Sequence, residues 1–126
     1  MSNIERPLSP HLQIYRMPFA AILSILHRAT GAALAVGALL LTWWLFAALT
    51  GVGAFAAFEA FRSSYIGKFM LFGWLFSFIY HFFNGIRHLK WDLGYGVEVQ
   101  SVNRSGAVVV AGTAILTLLL WFTGGR

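Results

Sequence analysis

The sequence predicts an all-α membrane protein in which an N-terminal arm precedes three transmembrane helices. Of the 126 residues, 59% are hydrophobic and only 10% are charged, whereas soluble domains average about 25% charged residues. The stretch between Arg28 and Glu59 contains no charged side chain, and it exceeds the roughly twenty residues that cross a bilayer. Two further apolar stretches of spanning length follow it. The chain is therefore too apolar to fold as a water-soluble domain.

The first element is an arm over residues 1–18, which holds all three prolines of the chain, Pro7, Pro10 and Pro18. Proline disrupts a helix interior but fits the first turn of a helix. We therefore expect the arm to contain a short interfacial helix that begins at Ser9-Pro10. A new helix is expected to begin near Pro18.

Three transmembrane helices follow the arm, at about 20–50, 65–89 and 105–123. Each meets the length criterion and carries Trp or Tyr near one end, as membrane-interface anchors do. The segment 51–64 is predicted to be a loop between the first two spans, and the polar stretch 90–104 connects the second and third. Because no internal repeat is evident, the whole chain is predicted to be a single transmembrane anchor domain.

The distribution of Lys and Arg predicts the orientation, because positive charges favour the cytoplasmic side. With the N-terminus inside, the cytoplasmic side holds Arg6, Arg16, Arg28, Arg87, Lys90 and Arg104, and the other side holds Arg62, Lys68 and Arg126. The N-terminal lead lacks the Arg- and Ser-rich composition of an organelle presequence. We therefore expect a multi-pass protein of the bacterial inner membrane, rather than the mitochondrial one, with its N-terminus in the cytoplasm.

Composition also argues against several functions. The nine basic residues are scattered between apolar segments, so membrane lipids, and not nucleic acid, are the expected partners. The chain has no Cys, which excludes thiolate-ligated iron–sulfur clusters and covalent haem attachment within it. It also lacks a dinucleotide-binding fingerprint, so the chain alone is not predicted to be an enzyme.

The second span carries a histidine face formed by His81, Gly85 and His88 at positions i, i+4 and i+7. Imidazole is a common axial ligand of haem iron, and a glycine one turn away leaves room for a flat macrocycle. His27 and Arg28 lie at the same membrane surface as His88, where haem propionates need cations or donors. Alternatively, His81 makes an interhelical hydrogen bond and Gly85 only permits close helix packing. The spacing alone leaves both interpretations open.

Ser24 and Arg28 stand one turn apart on the first span. Two converging donors suit a quinone carbonyl, whose oxygen gains negative charge on reduction. Alternatively, Arg28 extends to lipid headgroups and Ser24 bonds back to the preceding turn, which the residues alone favour. Asp92 could deliver protons to a reduced quinone, but a pairing with Lys90 or Arg87 is the simpler interpretation.

Three motifs, "RPLSPHLQIYR", "SILHRATG" and "HFFNGIRHLKWDLG", occur in an order and spacing that resemble the cytochrome b membrane-anchor subunits of succinate dehydrogenase, respiratory complex II. The resemblance runs from Arg6 to beyond Gly94, and the third span matches only in kind. It implies one haem b shared with a second, smaller anchor subunit, and ubiquinone as the substrate. It also implies an iron–sulfur subunit and an FAD-containing flavoprotein docked on the cytoplasmic side.

The resemblance further implies roles for individual residues. His81 matches the axial ligand of the haem iron, and His27 matches a residue near the haem propionates. Arg28 is expected near the propionates from its place at the membrane surface. His88 matches a recurring position of the third motif, and its place at the membrane surface predicts a contact with the propionates as well.

For the quinone site, Ser24 and Arg28 match the family's serine and arginine, and Asp92 matches a further recurring position. The predicted function is therefore a membrane anchor that supplies one haem ligand and part of the ubiquinone-reduction site of succinate:ubiquinone oxidoreductase. The alternatives are a haem-free structural anchor and a small transporter or channel subunit with Arg28 and His81 along its pathway. A transporter would favour internal repeats or helices interrupted within the membrane.

Overall fold

The computed structural model describes residues 15–124, which form four α-helices and no β-strand. The helices are α1 (Phe19–Thr50), α2 (Val52–Ser63), α3 (Tyr65–Asp92) and α4 (Val99–Gly124). Three of them, α1, α3 and α4, are long and apolar enough to cross a membrane, with mean hydropathies of 2.1, 1.4 and 2.0. The predicted all-α class with three spans is confirmed, and the chain is a multi-pass membrane protein.

The first span begins where proline predicts it. Pro18 has φ −60°, and its carbonyl accepts the N–H groups of Ala21 and Ile22 at 3.0 and 3.2 Å. Within the arm, residues 15–18 have no regular secondary structure. The interfacial helix expected from Ser9 lies outside the described residues.

The segment 51–64 is a helix and not the predicted loop. Gly51 takes a φ of 126° between α1 and α2, a conformation that glycine adopts readily. Beyond it, Phe58 is 5% exposed, and Trp43 of α1 contacts both Phe58 and Phe61 at centroid distances of 5.2 and 5.0 Å. Packing on α1 therefore stabilises a helix in a glycine-containing segment, and this contact is not visible in the local sequence.

The one ion pair among residues 15–124 lies on α2 and joins Arg62 to Glu59. The Nε–H of Arg62 donates to both carboxylate oxygens, at 3.0 and 2.8 Å. These hydrogen bonds hold the pKa of Glu59 below its ordinary value. Because the pair is exposed, it contributes little to the stability of the fold.

The polar connection between the second and third spans is shorter than predicted. Helix α3 continues to Asp92 and α4 already begins at Val99, so residues 93–98 alone form the turn. Gly94 and Gly96 adopt φ values of 80° and 71° there. The indole N–H of Trp91 donates to the Gly96 carbonyl at 3.1 Å, which ties the turn back onto α3.

Helix α3 packs between α1 and α4. Leu23, Tyr80 and Val109, one from each span, form the buried cluster at the centre. The Tyr80 hydroxyl, with no exposed surface, donates to the Leu23 carbonyl at 2.8 Å. Gly106 permits this packing, since an added Cβ would lie 2.5 Å from Leu23 Cδ1. Each span is a continuous helix, which gives the transporter alternative no support in the described part of the chain.

Candidate functional site

The packing of α1 on α3 brings together the three histidines that the sequence singles out. The rings of His27 and His81 are stacked, with centroids 3.9 Å apart and an interplanar angle of 9°. His88, two turns further along α3, contacts His27 edge-on at 4.6 Å. All three side chains are half-buried. The predicted histidine face of α3 therefore faces a histidine of α1.

The hydrogen bonds of His81 define its tautomer. Its Nδ1 lies 3.1 Å from the His27 carbonyl oxygen and 3.3 Å from Thr30 Oγ1. Because a carbonyl can only accept, the ring proton is assigned to Nδ1. Nε2 is then unprotonated, and it has no hydrogen-bond partner among residues 15–124. Metal-ligating histidines characteristically donate their other ring N–H in this way.

Two glycines shape the space around His81. At Gly31 an added Cβ would lie 3.1 Å from His81 Cε1, so this glycine lets the ring lie against α1. At Gly85, one turn beyond His81, an added Cβ would meet nothing within 4 Å. Within the described chain, Gly85 therefore does not serve close helix packing. It leaves open space on the histidine face, as a flat ligand beside His81 requires.

The chain provides no bare-ion site in its described part. Among residues 15–124, no group of three or more His, Cys, Asp or Glu side chains is arranged to hold a metal ion. Among the histidines of residues 15–124, His81 is the one whose Nδ1 donates to a carbonyl and whose Nε2 is left without a partner. This donor set fits a metal that receives most of its ligands from elsewhere, as haem iron does from its porphyrin.

Ser24 and Arg28 lie one turn apart on α1, at the end that carries His27. Arg28 is exposed and Ser24 is half-buried. Neither side chain donates a hydrogen bond to another residue within 15–124. Ser24 therefore does not form the alternative hydrogen bond to a carbonyl of the preceding turn, whereas Thr30 forms such a bond to the Leu26 carbonyl at 2.9 Å. The two predicted quinone donors therefore remain available to an external acceptor.

Asp92 does not form its expected ion pair. It is exposed at the last residue of α3, and the described residues contain no ion pair from it to Lys90 or Arg87. The pairing predicted for Asp92 is wrong because the Arg87 side chain turns towards α4, whose packing against α3 supplies it with neutral acceptors.

A polar network around Arg87 is the feature that the sequence interpretation missed. Arg87 is 5% exposed, and Asn84 has no exposed surface. The guanidinium donates to Asn84 Oδ1 at 3.0 Å, to Ser105 Oγ at 2.9 Å and to the Val102 carbonyl at 2.8 Å. Asn84 Nδ2 in turn lies 3.4 Å from His88 Nε2. The spacing of Asn84, Arg87 and His88 within a span could have indicated this network, since polar residues there face the bundle interior.

Comparison with known proteins identifies the family. The family described as succinate dehydrogenase/fumarate reductase transmembrane subunit matches residues 2–120. The succinate dehydrogenase cytochrome b556 subunit of Paracoccus denitrificans is 48% identical over 121 residues, which cover 94% of this chain and 93% of the relative. The cytochrome b556 subunit of Rickettsia felis is 42% identical over 117 residues, 93% of this chain and 91% of the relative.

A mitochondrial protein also matches. The succinate dehydrogenase cytochrome b560 subunit of Sus scrofa is 42% identical over 120 residues, which cover 91% of this chain and 67% of the relative. The resemblance first seen in three motifs thus extends over nearly the whole sequence. The chain belongs to the family of succinate dehydrogenase/fumarate reductase transmembrane subunits.

Proposed function

We propose that this chain is the cytochrome b membrane anchor of succinate:ubiquinone oxidoreductase, and that it provides one axial ligand of haem b and part of the ubiquinone-reduction site. Family membership and three spanning helices support the anchoring role. The observation that carries the haem assignment is the hydrogen bond from His81 Nδ1 to the His27 carbonyl, which leaves Nε2 as a free donor atom. The chain has neither Cys for iron–sulfur clusters nor a dinucleotide-binding fingerprint, so we assign the clusters and FAD to partner subunits.

His81 is the residue that would hold the haem iron, through Nε2. The His27 carbonyl and Thr30 Oγ1 fix the proton on Nδ1, and the stacked His27 ring limits rotation of the His81 imidazole. When bound, the haem supplies a one-electron redox centre close to the quinone. A second iron ligand would come from the smaller anchor subunit, and Gly85 leaves the face beside His81 open within this chain.

The haem propionates are anionic and need positive charge or hydrogen-bond donors at the membrane surface. His27, Arg28 and His88 are the residues that would meet them. His27 Nδ1 is buried without a hydrogen-bond partner among residues 15–124, and such an atom is costly to leave unpaired. Arg28 is exposed at the same end of the bundle and keeps its charge at every physiological pH.

Ser24 and Arg28 would bind ubiquinone by donating hydrogen bonds to one carbonyl oxygen. That oxygen gains negative charge as electrons arrive from the iron–sulfur subunit, and donors already in place stabilise the charge. Uptake of two electrons and two protons then gives ubiquinol. Asp92 is the candidate for proton delivery, because its carboxylate is exposed at this end of α3 and forms no ion pair in the described chain.

The charge count supports an orientation with this end of the bundle at the cytoplasmic surface of a bacterial inner membrane and the N-terminus in the cytoplasm. The iron–sulfur subunit and the flavoprotein would dock on that surface, next to Ser24 and Arg28. Residues 1–126 act as a single anchor domain in this assembly.

The experiment is a reduced-minus-oxidised spectrum of the complex purified with His81→Ala. We expect the b-type haem band to be lost and to return when imidazole is added to fill the vacated position. The control is Phe82→Ala, which truncates the exposed ring next to His81 on α3 but keeps the proposed ligand, so the band remains. A normal band in His81→Ala without added imidazole would refute the ligand assignment, and a wild-type complex without a b-type band would favour the haem-free anchor.

A further inference from the structure

A cavity of about 330 Å³ lies between α3 and α4, at the end where α3 finishes. We call it the α3–α4 groove. Its wall is apolar and is formed by Phe83, Ile86, Val108 and Val109. Its polar end carries Arg87, Lys90, Ser101 and Ser105. The groove is therefore amphipathic along its length, apolar within the span and cationic towards the membrane surface.

The groove faces away from the histidine site. An α-helix turns about 100° per residue, so Phe83 and Lys90 lie on the side of α3 opposite His81. The smaller anchor subunit must approach the His81 side if the proposed function is correct, and the groove then remains open to the bilayer. The wall is accessible from that direction, since Ile86 is 51% exposed and Val108 is 71% exposed.

The polar end holds two positive charges without a negative partner. In the described part of the chain no carboxylate pairs with Arg87 or Lys90, and the buried Arg87 guanidinium is satisfied by neutral acceptors and by the Trp91 ring 4.0 Å away. An added Cβ at Gly96 would lie 3.1 Å from Ser101 Oγ and 3.7 Å from Lys90 Nζ. An ammonium and a hydroxyl donor therefore converge beside this turn.

We propose that the α3–α4 groove binds an anionic phospholipid. Its phosphate is held by the Lys90 ammonium and the Ser101 hydroxyl, within the field of Arg87, and an acyl chain lies along Ile86 and Val108. Charge complementarity favours an anionic headgroup over a zwitterionic one, because a basic pocket between spans attracts net negative charge. The apolar wall favours a lipid over a free phosphate ion, because an acyl chain buries the apolar surface of the groove and a phosphate ion does not.

The test uses the whole complex in nanodiscs of phosphatidylcholine that contain a small fraction of phosphatidylglycerol. Native mass spectrometry counts the phosphatidylglycerol retained by the complex. We expect Lys90→Gln to lower the retained fraction about fivefold, since one lysine near the surface contributes that much to binding an anionic lipid. The matched control is Lys68→Gln, which removes an exposed lysine near the start of α3, at the other end of that helix from the groove, and should leave retention unchanged.

A second variant tests the apolar wall without changing charge. Val108→Trp adds volume inside the groove and should expel the acyl chain, whereas Val110→Trp places the same ring on an exposed position of α4 outside the lining. Equal loss for Lys90→Gln and Lys68→Gln, equal retention of both lipids, or unchanged retention in Val108→Trp would each overturn the lipid site. A cross-link from position 108 to a partner subunit would also overturn it, because the groove would then be a protein interface.

The haem spectrum of the same samples separates the two proposals. A complex that keeps its b-type band but shows no lipid preference would overturn the α3–α4 groove as a lipid site and leave the proposed function standing. A complex that lacks the b-type band in every sample would instead overturn the haem assignment.

Discussion

The imidazole of His81 lies parallel to that of His27, with ring centroids 3.9 Å apart, and donates from Nδ1 to the His27 carbonyl at 3.1 Å. One residue of α1 therefore determines both the orientation and the tautomer of a histidine on α3. Two residues that are far apart in the chain form one structural unit. The site is a property of the α1–α3 pair and not of either helix alone.

Gly31→Val should displace His81 from this arrangement. The Cβ alone would lie 3.1 Å from His81 Cε1, and the two methyl groups of valine need more room than the ring can yield. We expect a reduced haem content and an altered low-spin haem signal in electron paramagnetic resonance. Ala32→Val is the control, because Ala32 is exposed on the same turn. Identical spectra for the two variants would show that the stacking does not position the ligand.

Gly85→Leu should block the haem while leaving the chain's own fold intact. An added Cβ at Gly85 meets no atom of the described chain within 4 Å, and leucine is the better helix former. The side chain would instead occupy the space beside His81. The expected result is an assembled complex with little b-type haem absorbance. Gly73→Leu, at another open position of α3, should retain the haem, and a full haem band in Gly85→Leu would contradict the proposed face.

Arg28→Leu should separate the two half-reactions of the complex. Oxidation of succinate by a soluble artificial acceptor should persist, because it occurs in the partner subunits. Reduction of ubiquinone should fall on the order of 10²-fold, the usual cost of removing one donor to a developing oxyanion. Steady-state assays with the two acceptors measure the ratio of ubiquinone reduction to succinate oxidation with the artificial acceptor. Arg104→Leu should preserve both activities, and unimpaired quinone reduction in Arg28→Leu would remove Arg28 from the site.

Arg87→Met should weaken the packing of α4 on α3. It removes three hydrogen bonds and leaves Asn84 Oδ1 without its donor, whereas Ser105 Oγ keeps its hydrogen bond to the Val102 carbonyl. We expect the free energy of unfolding to fall by about 3 kcal/mol, given the cost of losing hydrogen bonds to a buried charged group. Thermal denaturation of the purified complex measures the change. The exposed Arg104→Met should change stability by less than about 0.5 kcal/mol, and an equally small effect at position 87 would show that the network contributes little.

The membrane class, the three spans and the shared face of His81, Gly85 and His88 could all be predicted from the amino-acid sequence. These features follow from local properties, because the length of an apolar stretch decides whether it crosses a bilayer and helical periodicity decides which residues share a side. The sequence also indicated the family, since the motif residues stand in their expected order. The helical nature of 51–64 was not predictable, because its glycines indicate a loop while the stabilising contacts come from Trp43 on another helix.

Which polar groups meet depends on how the helices pack, and this could not be predicted from the sequence. The hydrogen bond between His81 and the His27 carbonyl joins positions 54 residues apart. Arg87 donates to acceptors on α4 and not to the neighbouring Asp92. The physical reason is that hydrogen-bond partners within a membrane are set by which helix faces pack together. Sequence spacing defines each face, but the pairing of faces and the resulting tautomer of His81 depend on the close approach that Gly31 permits between α1 and α3.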